Sequence, residues 1–232
     1  MFSATPHQPT NRWLPPSVLV AVLGLFSVGN AFADEAGEEP GSHPLWSLHF
    51  RGGAFYPAID NWKKYYDTAY MGYFSIAGDW WINRYFGVGA ELGYMRDEGQ
   101  GQLPVQEGVG GYVEHRLWPA SVLVSARGAF RDDQVVIPYF SAGVTYLGYA
   151  QKIENQERRT GSTIGAIAHL GVQFLLDPLD QRSASSLESN LGIRHSYFEL
   201  DLTYINAPAE EIGGDSVDLG GTGFSLSVGF EF

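Results

Sequence analysis

Five bulky apolar residues at every second position, Phe224, Leu226, Val228, Phe230 and Phe232, run to the last residue, with Ser225, Ser227, Gly229 and Glu231 between them. Alternation at that period is a β-strand with one apolar and one polar face, because successive side chains leave a strand on opposite sides. Seven earlier segments repeat the pattern. Over 45–56, Trp46, Leu48, Phe50, Ala54 and Tyr56 oppose Ser47, His49, Arg51 and Gly53. Over 71–83, Phe74, Ile76, Trp80 and Ile82 oppose Ser75, Ala77, Asp79 and Asn83. Further segments are expected at about 85–96, 119–131, 136–150, 162–176 and 194–206. Eight strands make an even count, which single-chain bacterial barrels require.

Residues 1–33 stand apart from this pattern. Leu14–Val28 is apolar, Arg12 precedes it, and Ala31-Phe32-Ala33 forms a small-x-small cleavage site before Asp34. That combination predicts a cleaved secretory signal peptide. Fifteen apolar residues containing Pro15 and Pro16 fall short of the roughly 20 a membrane helix needs. Residues 34–44 are acidic and aperiodic and predict a flexible periplasmic lead-in. The remaining chain, 45–232, is one barrel's worth.

Charge and composition narrow the function classes. The 14 basic residues lose Arg12 with the signal, leaving 13 against 26 acidic ones, a balance of −13. Such a surface argues against nucleic acid as a partner. There is no cysteine, so disulfides, thiolate nucleophiles and cysteine metal sites are excluded. No metal site and no cofactor are expected.

Connections between the expected strands alternate in length. Links at 57–70, 97–118, 151–161 and 207–220 are long, whereas those near Asn83-Arg84 and 131–134 are short. Long outer loops and short periplasmic turns are the asymmetry of an outer-membrane barrel. Residues 177–192 break it. There Asp180 or Ser183 can cap a short helix presenting Leu187 and Leu191, and a plug-like periplasmic turn is expected.

Two eight-stranded barrels fit, differing in which face is apolar. A soluble lipocalin-like barrel turns its apolar face inward, and a membrane barrel reverses it. The polar parity carries glycine, serine and a few charges: Arg51, Asp79, Glu91, Arg127, His169, Glu199, Asp201 and Glu231. The apolar parity is large, aromatic and nearly free of charge, as a lipid-facing surface must be when a mid-depth charge costs roughly 2–4 kcal/mol. Trp46, Tyr56, Tyr94, Tyr204 and Phe232 fall at strand ends on that parity, where an interfacial girdle belongs. An all-β, eight-stranded antiparallel up-and-down transmembrane barrel is expected.

The leader, the eight alternating strands, the entry Ile137-Pro138-Tyr139 followed by Ala142-Gly143-Val144, and the terminal Phe232 together resemble the small outer-membrane barrel superfamily of OmpA- and OmpW-like proteins. In such proteins a final aromatic strand, here Phe224, Leu226, Val228, Phe230 and Phe232, resembles the assembly signal. The resemblance implies a Gram-negative outer-membrane location and a monomer among outer-membrane lipids and lipopolysaccharide. It also implies periplasmic chaperones and the barrel-assembly machinery as transient partners. It specifies no activity.

The inward charges carry the best-founded chemistry. An eight-stranded barrel is filled by its own side chains, and charges buried there must pair. Arg51 and Arg127 are expected to pair with members of Glu91, Glu199, Asp79 and Glu231, either bracing the barrel or gating a narrow pore. No catalytic set is expected: His195 and Ser196 are adjacent on a strand and point apart. Gly87, Gly89 and Gly93 read as small lumen lining, and Glu210, Glu211, Asp215 and Asp218 as a solvated outer loop. The expected role is structural or adhesive, or restricted small-solute passage. The alternatives are an OmpW-like channel for hydrophobic solutes and a lipid A-modifying enzyme.

Overall fold

The computed structural model describes residues 45–59, 62–66, 68–102, 110–131, 134–154, 158–210 and 216–232; residues 1–44, and with them the expected leader and lead-in, lie outside that set. Among the described residues ten strands and two helices follow in order. They are β1 (Trp46–Pro57), α1 (Trp62–Tyr66), β2 (Met71–Trp81), β3 (Phe86–Gln102), β4 (Gly110–Arg127), β5 (Val136–Ile153) and β6 (Arg159–Leu175). Then come α2 (Gln181–Leu191), β7 (His195–Asn206), β8 (Pro208–Glu210), β9 (Ser216–Asp218) and β10 (Gly221–Glu231).

Eight strands close a barrel in the order β1-β10-β7-β6-β5-β4-β3-β2, and β8 and β9 form a separate ribbon. Every barrel neighbour is antiparallel, and β1 joins β10 from Ser47↔Glu231 to Pro57↔Gly221. Closure matters because a sheet in hydrocarbon cannot leave an unpaired edge. The chain ends are pinned into the same ladder: Leu45 N donates to Phe232 O at 3.1 Å and Phe232 N to Trp46 O at 2.9 Å.

Two differences from the expected strand limits share one cause. β3 runs on to Gln102 and β4 starts at Gly110, so most of the expected loop 97–118 is a hairpin. β5 and β6 likewise extend to Ile153 and from Arg159. Beyond the hydrocarbon the outer face meets water, polar residues are tolerated on both faces, and the alternation that marks a strand disappears while backbone pairing continues. At the other end the β2–β3 turn is as tight as expected, with Asn83 Oδ1 accepting from Tyr85 N at 2.8 Å and Phe86 N at 2.9 Å.

The bulky parity faces outward. Val124, Val144 and Ile164 are 61%, 60% and 68% exposed, and Ile76, Leu92 and Leu202 are exposed beside them. An apolar band wrapping the wall is far beyond what a water-soluble monomer shows, and it identifies the lipid-facing surface. Tyr56, Tyr94, Tyr204 and Phe232 also point outward. Trp46 lies 6.5 Å from Trp80 near the chain ends, and Tyr94 lies 6.2 Å from Trp118 near the loop end.

The expected plug at 177–192 is corrected. Its helix α2 exists, with Asp180 Oδ1 accepting from Arg182 N and Ser183 N at 3.1 Å each. Hydrogen bonds from Ser183, its hydroxyl first, hold the Asp180 carboxyl below the usual carboxylate range. Gly192, at φ 71°, closes the helix with its N–H on Glu188 O. No residue of α2 is buried, and Leu191 is 63% exposed. The helix stays outside because the lumen end beside it is already filled by Trp81, Arg127, Tyr197 and Glu231, all buried.

Candidate functional site

The lumen contains two chemically different halves. Nearest the chain ends, Arg127 stacks over the Trp81 ring at 3.9 Å, donates to Arg84 O at 3.0 Å and pairs with Glu231. Tyr197 donates to the other Glu231 oxygen at 3.3 Å. Trp81 Nε1 donates to Ser47 Oγ at 3.0 Å. One cation thus meets a carboxylate and an aromatic face in a buried layer.

One layer further in, His49 lies between two acids, 2.9 Å from Glu199 Oε1 and 3.4 Å from Asp79 Oδ2. Gln173 donates to Glu199 at 2.7 Å and Ser125 to Asp79 at 2.8 Å. Above it Arg51 donates to Glu91 at 2.8 Å and to Asp201 at 3.3 Å. Tyr73 donates to Glu91 at 2.7 Å, Tyr139 donates to Asp201, and Ser227 donates to Asp201 at 3.0 Å. His169 Nε2 stands 3.3 Å from Glu91 Oε2 without hydrogen-bond alignment, while its Nδ1 lies 3.1 Å from Thr203 Oγ1.

Glycines make room for these groups where a methyl would not fit. A Cβ on Gly89 would collide with Asp79 Oδ1. One on Gly229 would lie 2.7 Å from Glu199 Oε1 and 2.9 Å from His49 Nδ1.

The structure brings Arg51 to Glu91 and Asp201, and Arg127 to Glu231. It gives Asp79 and Glu199 to His49 instead of to an arginine. Five buried carboxylates face two arginines, so the histidines and tyrosines complete the network. The tyrosines Tyr73, Tyr139 and Tyr197 were not singled out from sequence. Their signal was available, since each shares parity with an inward residue: Tyr73 with Ser75, Tyr139 with Ser141, Tyr197 with Glu199.

The outer half of the lumen differs from the expected lining of glycine, serine and charge. Phe55, Met71, Met95, Leu117, Leu147, Ile167 and Ile205 are buried there in one apolar cluster. Helix α1 covers it: Trp62 and Tyr66 stack at 3.9 Å, and Trp62 Nε1 and Thr68 Oγ1 both donate to Asp97 at 3.0 and 2.8 Å. His115 packs edge-on against Trp62 at 5.4 Å, and neither ring nitrogen has a hydrogen-bond partner. It lies on β4 above Trp118, outside the hydrocarbon, and burial alone pushes its pKa down to about 4.

The remaining candidates resolve simply. His195 Nδ1 meets Asp177 at 2.7 Å, and Ser196 Oγ donates to the same carboxylate at 3.1 Å. Asp177 is therefore an acidic partner for His195, but it binds the histidine and the serine in parallel. Asp218 accepts from Ala207 N and Gly220 N at 2.8 Å each, so it holds its own turn. Glu211 and Asp215 lie outside the described residues. Among the described residues no group of three or more His, Asp or Glu side chains is arranged to hold a metal ion.

Solved structures share this architecture. Neisserial surface protein A aligns with a TM-score of 0.52 at 11% identity, over 81% of this chain and 97% of that one. The outer membrane protein OprG from Pseudomonas aeruginosa aligns with a TM-score of 0.53 at 13% identity, over 82% and 97%. The fold is that of the OmpA/OmpW-like outer-membrane barrels. At these identities the likeness is one of fold. No family model and no curated protein matches the sequence.

Proposed function

We propose that the protein is exported by a cleaved signal peptide and serves the outer membrane as a closed barrel with a structural or adhesive role. One observation carries this: the lumen is filled along its length, by paired charges in the inner half and by packed apolar side chains in the outer half. An ion crossing it would have to break buried ion pairs and then enter an apolar layer, each costing several kcal/mol. The network then acts as a brace, and no enzymatic activity is assigned, since His195 and Ser196 engage Asp177 and not each other. Planar-bilayer recording of refolded protein tests it. Insertion without stepwise conductance is expected; a stable open level would overturn the closed lumen.

A second function, an OmpW-like route for hydrophobic solutes, has its own support. The outer half-lumen is apolar, and the β3–β4 ladder beside it has a short stretch without pairing, in unbroken register. Pairing between β3 and β4 passes from Leu92↔Ala120 to Met95↔Leu117 with no bridge between, where Pro119 has no N–H to give. Saturable binding of a fluorescent long-chain fatty acid, lost on Leu117→Arg, would support this route; no binding would remove it.

A further inference from the structure

We infer that the outer wall carries a phosphate-binding site for an outer-leaflet glycolipid, built by Arg116, Lys152 and Arg158 just above the aromatic girdle. The inference rests on the outer-membrane reading. These residues, with Glu114 and Ala150, line a surface cleft of about 130 Å³, room for a few waters at roughly 30 Å³ each or for one tetrahedral phosphate group.

Register places the cleft. On β4 the outward parity runs Val124, Val122, Ala120, Trp118, Arg116, so Arg116 is the first outward residue above the girdle pair Tyr94–Trp118. Two residues along a strand advance roughly 7 Å, and strand tilt makes the height less. Arg116 faces Ala150 on β5, and Lys152 follows on the same parity. Gln151 pairs with Arg159, which sets Arg158 beside Lys152. Hydrocarbon ends at the girdle, and the charged layer of the lipid begins above it.

Charge is unbalanced there in the direction that recruits an anion. Arg96 and Arg116 are directly cross-strand partners, an unfavourable like-charge pair. Glu114 relieves it, at 2.8 Å from Arg96 and 2.5 Å from Arg116; it lines the cleft and faces Lys152 across the strands, but its carboxylate is turned to the two arginines. Glu98 is taken by Arg96 and Tyr112, and Glu154 by the Tyr112 N–H. Lys152 and Arg158 are exposed and make no hydrogen bond or ion pair with any described residue. A phosphate in the cleft would supply what they lack, with a guanidinium offering a planar fork and a lysine a point charge. In a chain this acidic overall, such a knot of cations on the lipid-facing wall is not generic surface charge.

The ligand is the phosphorylated sugar headgroup of a lipid whose acyl chains lie along the apolar wall below. Native mass spectrometry of refolded protein in detergent tests it, with three probes: a bis-phosphorylated lipid A, the same lipid dephosphorylated, and inorganic phosphate. Bis-phosphorylated lipid should be retained. At about fivefold per cation near a membrane surface, R116A, K152A and R158A together should lower its apparent affinity roughly 100-fold. K63A, removing an exposed cation of another outer loop, should leave it unchanged. Equal retention of dephosphorylated lipid, or an unchanged triple variant that still shows the heat-modifiable gel shift of a folded barrel, would overturn the site alone. Inorganic phosphate competing at equal concentration would replace the glycolipid by a free anion and likewise overturn it. A wild-type chain that never inserts into lipid would instead overturn the membrane assignment beneath it.

Discussion

Replacing Glu91 by alanine tests whether the lumen is dry. Three groups converge on that carboxylate: Arg51 at 2.8 Å, the Tyr73 hydroxyl at 2.7 Å and His169 at 3.3 Å. Its removal leaves Arg51 with Asp201 alone, at 3.3 Å, inside a layer that water does not reach. Stranding one member of a buried ion pair costs about 3–5 kcal/mol. The Tyr73 bond is part of the same loss and is not added to it. At an m-value of roughly 2 kcal/mol per molar urea, the unfolding midpoint should fall by about 2 M. The assay is tryptophan fluorescence of protein refolded into lipid vesicles, with the gel shift as a second probe. Glu91→Gln keeps an acceptor for Tyr73 and should cost less. Glu98→Ala, at an exposed pair with Arg96, should leave the midpoint in place. A Glu91→Ala shift below about 0.5 M would mean that solvent screens Arg51, and the closed lumen would fall with it.

Other outcomes follow from the same geometry. Gly229→Ala drives a methyl against Glu199 and His49 and should cost about 1–3 kcal/mol in the same assay. Val144→Arg, on the lipid-facing wall, should cost about 2–4 kcal/mol in a bilayer, and an unaffected variant would place that wall in water. Folded His115 titrates near 4, below its unfolded value of about 6.5. The unfolded or undocked state therefore binds the proton first, and the packing of α1 is fully stable above about 6.5 and weakens as pH falls towards 4. Protection of the α1 amides, taken relative to the intrinsic exchange rate at each pH, should fall across that window and should not fall in His115→Phe.

The period-2 pattern decides a great deal on its own, because a strand side chain has only two directions to choose from. Parity alone assigns Ile76, Leu92, Val124 and Leu202 to one face and Arg51, Glu91, Glu199 and Asp201 to the other, and the barrel keeps both assignments. It also contains the number of strands and the tight turn at Asn83. Parity is silent on partners. His49 and Glu199, like Arg51 and Asp201, are 150 residues apart and meet only because β1 closes on β10 and β10 on β7 in one register. The apolar outer lumen is hidden for a related reason: Phe55 sits between Ala54 and Tyr56 and Ile167 between Ala166 and Ala168, so alternation vanishes where both faces are apolar. The ends of β3 to β6 vanish from the pattern where both faces are polar. Sequence fixes which way each side chain points, and closure of the sheet decides what it finds there.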